Sequence, residues 1–131
     1  MSNKINKFED LEIWQKAIEI AIEIYRISEE GKLSKDYGSK DQIRRSATSI
    51  SNNIAEGFEY DNNKEFIKFL KYSKGSAGEL RSQLYILVKA GYIEQIFYEE
   101  MYSKLISISQ QIANFIKYLR KFERDKMFNT I

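Results

Sequence analysis

The sequence predicts an all-α fold, an antiparallel up-down-up-down four-helix bundle. Three observations lead there. Proline is absent and only six glycines occur in 131 residues, which suits long helices better than loop-rich or all-β folds. Apolar residues recur at three- and four-residue spacing through four long segments, the period of an amphipathic helix. No segment alternates apolar and polar residues over the length of a strand.

The first helix is expected over about 9–28. Asp10 is a candidate cap, and Leu11, Trp14, Ile18, Ala21 and Tyr25 repeat at heptad spacing. Ile13, Ala17, Ile20, Ile24 and Ile27 widen the stripe, so more than one neighbour is expected. Trp14 is assigned to the core. Two glycines and polar residues between Gly31 and Ser39 break the pattern.

The second helix is expected over about 40–58, capped by Ser39, with Ile43, Ala47, Ile50 and Ile54 inward and Gly57 helping to end it. Glu59 to Asn63 is a connector, and Asn62 or Asn63 can cap the third helix, about 64–90. Its heptad is Phe66, Leu70, Ser73, Ala77, Leu80, Leu84 and Leu87. Gly75 and Gly78 each cost about 1 kcal/mol against alanine. The heptad keeps phase across them, which favours a close helix crossing over a break. Gly91 is the expected C-terminal stop.

The fourth helix is expected over about 94–123. Met101, Leu105, Ile108, Ile112, Phe115, Leu119 and Phe122 form its heptad, flanked by Ile106, Ala113 and Ile116. The tail from Asp125 to Ile131 is expected to fray. With no internal repeat or linker, residues 1–131 are expected to form one domain.

Composition narrows the chemistry. There is no cysteine, hence no disulfide and no thiolate zinc site. There is no histidine, which removes the commonest general base and metal ligand. No catalytic, cofactor-binding or metal-binding residue is assigned. Glu9, Asp10 and Glu12 stand where a signal peptide needs an apolar run, and no uncharged stretch reaches the roughly 20 residues of a membrane span. The expectation is a soluble, cytoplasmic chain without membrane association. Net charge is only +2, so a case for nucleic acid must rest on local patches.

One helix carries an unusual polar stripe. Arg45, Ser49, Asn52 and Glu56 share a face of the second helix. Arg44 and Arg45 near its start and Glu56 near its end oppose the helix dipole, so those charges call for another helix, another chain or a ligand.

The segments RRSATSISNNIAEGF (Arg44 to Phe58) and FIKFLKYSKGSAGELRSQL (Phe66 to Leu84), with FEDLEIWQKA (Phe8 to Ala17), resemble a family of small four-helix bundles. These are the proteins encoded within intervening sequences of bacterial 23S ribosomal RNA genes. The resemblance spans about Phe8 to Lys121. It implies a left-handed bundle that assembles as a homopentamer. It also implies kinship with the accessory variability-determinant protein of diversity-generating retroelements, which binds a reverse transcriptase and nucleic acid. Many members have proline where this chain has Ser51, so a proline kink is not expected here.

Two polar constellations stand out. Arg44, Arg45, Asn52, Asn53, Glu56, Glu79 and Arg81 match residue types of the family motif, and Ser49 joins them on the polar face. Antiparallel packing of the second and third helices would bring Glu79 to Arg44 or Arg45. The favoured reading is a network fixing helix register or a subunit contact. An exposed ligand or RNA-phosphate site is the alternative, and catalysis the least favoured. The second constellation is basic: Lys64, Lys68, Lys71 and Lys74 on the third helix, and Lys117, Arg120, Lys121 and Arg124 at the end of the fourth. A solvated lysine face and a phosphate-binding stripe both fit it. Tyr60, Tyr72, Tyr92, Tyr98 and Tyr118 are expected partly off the core, at a protein interface or, less favoured, stacked on bases.

The sequence therefore reads as a non-enzymatic oligomeric scaffold or accessory protein for RNA, other nucleic acid, or a partner such as a reverse transcriptase. A protein-only adaptor without nucleic-acid affinity is the alternative, and a nuclease is disfavoured.

Overall fold

The structure, a computed structural model, describes residues 4–129. Four helices follow in order: α1 Glu12–Ile27, α2 Tyr37–Glu59, α3 Asn63–Lys89 and α4 Gln95–Asn129. Successive helices pack side by side and α4 returns to α1, which closes the four-helix bundle. The α2–α3 seam is the most extensive and the α1–α4 seam the slightest. Short 3-10 turns at Phe8–Asp10 and Gly31–Lys35 precede α1 and α2.

The buried core follows the apolar periods. Ile13, Ala17, Ile20 and Ile24 of α1, Ile43, Ala47, Ile50 and Ile54 of α2, Leu70, Ala77, Leu80 and Leu84 of α3, and Met101, Leu105, Ile108 and Ile112 of α4 are buried in one core. Leu11, at the N-terminal cap of α1, and Ala21 within it are buried as expected, but the flanking row is the deeper of the two. Ile13 to Ile24 form the centre, Trp14 is only partly buried against the core, and Tyr25 is exposed. Phe122 is likewise half exposed, and Ile116 takes the inward position on α4.

Helix ends differ from expectation for local reasons. Leu11 adopts an extended backbone (ψ 127°), so α1 starts at Glu12 and Phe8–Asp10 is a separate turn. Asp10 accepts from the Asn6 and Lys7 amides rather than capping α1. Asp36, not Ser39, caps α2, its carboxylate accepting from the Ser39 amide at 3.1 Å. Asn62 caps α3 through the Glu65 amide at 3.1 Å. Gly91 (φ +79°) ends α3 as expected, with Tyr92 N–H bonded to Leu87 O and Gly91 N–H to Val88 O. α4 continues to Asn129, past the expected stop and through most of the expected frayed tail; Thr130 and Ile131 lie outside the described residues.

The glycines exchange roles. Gly57 does not end α2. It lies buried where a Cβ would come within 2.7 Å of Phe69 Cβ, so the α2–α3 crossing depends on it. Gly75 and Gly78 have nothing within 4 Å of such a Cβ and mark no crossing. Ser51 is buried within a continuous α2 and bonds its hydroxyl to Thr48 O at 3.1 Å.

Candidate nucleic-acid interface

The fold brings both basic stripes to one end of the bundle. Phe66 meets Phe115 with ring centroids 5.5 Å apart. The first turns of α3 therefore run beside the last part of α4, with Lys64 to Lys74 on one helix and Lys117 to Arg124 on the other. All eight candidate cations are exposed. Lys68 alone has an ion-pair partner among the described residues, Glu65 at 3.1 Å, which raises the Lys68 pKa. Lys64, Lys71, Lys74, Lys117, Arg120, Lys121 and Arg124 make no ion pair among the described residues. Elsewhere five cations are neutralised, Lys16 by Glu12, Lys40 and Arg44 by Glu29, Arg45 by Asp41, and Lys104 by Glu23, while Arg26, Lys32, Lys35, Arg81 and Lys89 are scattered cations that likewise make no ion pair among the described residues.

The same end holds a cleft of about 430 Å³ between the α2–α3 connection and the end of α4. Phe58, Phe66 and Leu119 supply its apolar wall, and Asp61, Asn63, Lys64 and Glu123 are among its polar lining. Asp61 has φ 53°, the one non-glycine positive value among the described residues. The cleft escaped sequence reasoning because its residues come from two segments far apart in the chain, 58–66 and 119–126. The Asn62 cap and the cation Lys64 were its local signals.

The expected polar network is divided. Arg44 turns to α1, where its Nε donates to Ser28 Oγ at 2.8 Å and its guanidinium pairs with Glu29. It also lies 4.4 Å from the Tyr25 ring centroid. Lys40 stands 2.9 Å from the same Glu29. Hydrogen bonds from Lys40 and then Arg44 hold the Glu29 carboxyl below its ordinary pKa. Arg45, one residue on and about 100° round the helix, points to solvent and pairs with Asp41 at 3.0 Å. Neither arginine forms an ion pair with Glu79, although Arg45 comes to the same groove as Glu79. Since α2 begins at Tyr37, both lie beyond its first turn, where the dipole argument loses force.

Ser49 and Asn53 belong to the α2–α3 seam. Asn53 Nδ2 donates to Ser49 O at 2.8 Å, and Ser76 donates to Ser49 Oγ at 2.9 Å. Asn52 and Glu56 are exposed on the outer face. Glu79 lines an open groove with Arg45, Ser49 and Gln83. Arg81 stacks toward Tyr102 on α4, 5.6 Å from its ring centroid. Tyr60, Tyr72 and Tyr118 are exposed, and Tyr92 and Tyr98 partly so. Tyr92 contacts Asp36, raising its own pKa and helping to lower that of Asp36, after the Ser39 amide.

Among the described residues, no group of three or more acidic side chains is placed to hold a metal ion. Among the described residues no helix is long and apolar enough to cross a membrane.

Residues 9–114 match the profile of the family described as 23S rRNA-intervening sequence protein. A solved structure of a protein of unknown function from the S23 ribosomal protein family of Bacteroides thetaiotaomicron is similar, with 28% identity and a TM-score of 0.73. The match covers 80% of this chain and 98% of that one. No curated protein matches.

Proposed function

The chain belongs to the 23S rRNA-intervening sequence protein family, and on that premise we propose that it is a non-enzymatic accessory protein that binds RNA through the basic end of α3 and α4. The observation that carries this reading is the gathering of seven exposed cations without an intramolecular ion pair among the described residues. Cations kept free of carboxylates release phosphate counterions at full effect, which favours binding to a polyanion. The family's association with an RNA gene makes RNA the polyanion of choice. A reverse transcriptase or similar enzyme on the same RNA is the protein partner this role would serve.

Self-association belongs to the same reading. Tyr85 on α3 and Tyr102 on α4, both exposed, are linked through Tyr98 with ring centroids 6.2 and 6.0 Å apart, an aromatic cluster suited to contacts between copies. A ring, five-membered by family resemblance, would repeat the basic end and multiply weak phosphate contacts.

A gel-shift titration with single-stranded RNA across a salt series tests the proposal. Binding at low salt that weakens steeply with added salt and is abolished by Lys117→Glu with Lys121→Glu is the expected result. No shift at low salt, or a shift indifferent to the charge reversals, favours the protein-only adaptor. Sedimentation over a range of concentrations tests assembly; a monomer throughout removes the ring.

A further inference from the structure

We propose that the cleft at the basic end holds one unpaired nucleobase, and that it prefers guanine. This rests on the RNA-binding reading above and names what the site recognises. The cleft, about 430 Å³, falls in the range of small-molecule pockets and exceeds what an inorganic ion needs. Its apolar wall is aromatic. Phe58, only partly buried, is the aromatic ring open to the cleft; the buried Phe66 backs it edge to face with centroids 6.0 Å apart, beside the buried Leu119. Such a wall suits a flat ring, as in other single-strand sites where bases leave the stack to lie on aromatic side chains.

The charges decide which part of a nucleotide enters. Asp61 and Glu123 both line the cleft, so a phosphate there would meet two carboxylates. A base amine or imino group would instead find acceptors. The Asn62 carbonyl oxygen is engaged by the Glu65 amide, which leaves the carboxylates and the Asn63 amide to read the base edge. Guanine alone among the four bases offers two adjacent donors, N1–H and the N2 amine, that one carboxylate can accept together. The phosphates remain outside. A second depression of about 330 Å³ shares Lys64, Glu123 and Lys126 with the cleft and extends to Met127 near the end of α4, so a strand leaving the cleft must pass round the helix to reach its outer basic face. Lys117, Lys121 and Arg124 are exposed on that helix.

The test uses the full chain and fluorescently labelled oligouridine carrying one central guanosine, adenosine or inosine, read by anisotropy at low salt. The guanosine oligomer is expected to bind about tenfold tighter than the adenosine oligomer, the scale of one bidentate base contact. Inosine, which lacks the N2 amine, falls between them. Glu123→Gln should abolish the preference, so that the variant binds the guanosine and adenosine oligomers equally. Equal affinity for guanosine and adenosine in the wild type overturns the assignment. So does a guanosine preference that survives both Glu123→Gln and Asp61→Asn. Failure of every oligomer to bind overturns the RNA reading itself, and is thereby distinct from loss of base preference alone.

Discussion

Ser73 on α3 donates its hydroxyl hydrogen to the main-chain carbonyl of Ile50 on α2 across 2.7 Å, with both residues buried. The bond crosses the most extensive helix seam of the bundle, beside the Ser49–Ser76 contact. Small hydroxyl residues thus let two backbones approach while satisfying their own polarity. Ser73→Ala keeps the space and removes the bond. The Ile50 carbonyl retains its place in a continuous helix, so the loss should be modest, about 1 kcal/mol. Ser73→Val adds volume as well and should lose about 1–3 kcal/mol more through overpacking. Urea unfolding of the two variants measures the difference.

Gly57 and Gly75 should respond oppositely to alanine. At Gly57 the new Cβ would stand 2.7 Å from Phe69 Cβ and 3.1 Å from Phe66 Cδ1. The seam must open, at a cost of about 1–3 kcal/mol that exceeds the gain of about 1 kcal/mol in helix propensity. At Gly75 nothing lies within 4 Å, so the propensity gain of about 1 kcal/mol should appear undiminished. Thermal melting of Gly57→Ala and Gly75→Ala checks both signs; a stabilised Gly57→Ala would refute the close crossing.

These two glycines also show what the sequence could and could not convey. Gly57 follows Ile43 and Ile50 at intervals of seven, so its inward position was readable from phase alone. The GSAG run drew attention instead, although Gly75 lies two residues from the inward Ser73 and so turns away. The core positions of α2 and α3 were legible because their heptads are clean. In α1 two apolar rows compete, and only packing against both neighbours decides which is central. Ser39 and Asp36 are both good caps three residues apart. The partner of Arg44 was not legible. One step along the helix separates a side chain facing α1 from one facing solvent, and Glu29 lies where α1 has already ended. The basic stripes were readable residue by residue, but their meeting at one end needed the α3–α4 register.

Acid sensitivity should trace to Glu29 and Asp36. Both have folded pKa values below their ordinary ones: Glu29 through Lys40 and Arg44, Asp36 through the Ser39 amide and Tyr92. A lowered folded pKa contributes stability above the unfolded value, about 4 for carboxylates, and this is lost as pH falls through the folded value. Glu29→Gln should therefore have little further effect at about pH 3 and a clear destabilising one at about pH 6. Tyr92 has the opposite sign. Its raised pKa contributes stability below the unfolded value, about 10, that fades as pH rises through the folded value. Urea midpoints against pH for Glu29→Gln and Tyr92→Phe separate the acid and alkaline arms.

The cations at the basic end should differ in what each contributes to RNA binding. Lys117 makes no ion pair among the described residues, whereas Lys68 is 3.1 Å from Glu65. A cation already neutralised must give up its carboxylate before it can meet a phosphate, so it releases less counterion per contact. For single strands each phosphate neutralised adds about 0.7 to the slope of log affinity against log salt. Lys117→Ala or Lys71→Ala should each reduce that slope by about 0.7. Lys68→Ala should reduce it by clearly less, and Glu65→Gln should raise affinity by freeing Lys68. Equal slopes for the Lys68 and Lys117 variants would mean that the internal pair does not persist in solution. An unchanged slope in all three lysine variants would move the RNA contact away from this end of the bundle.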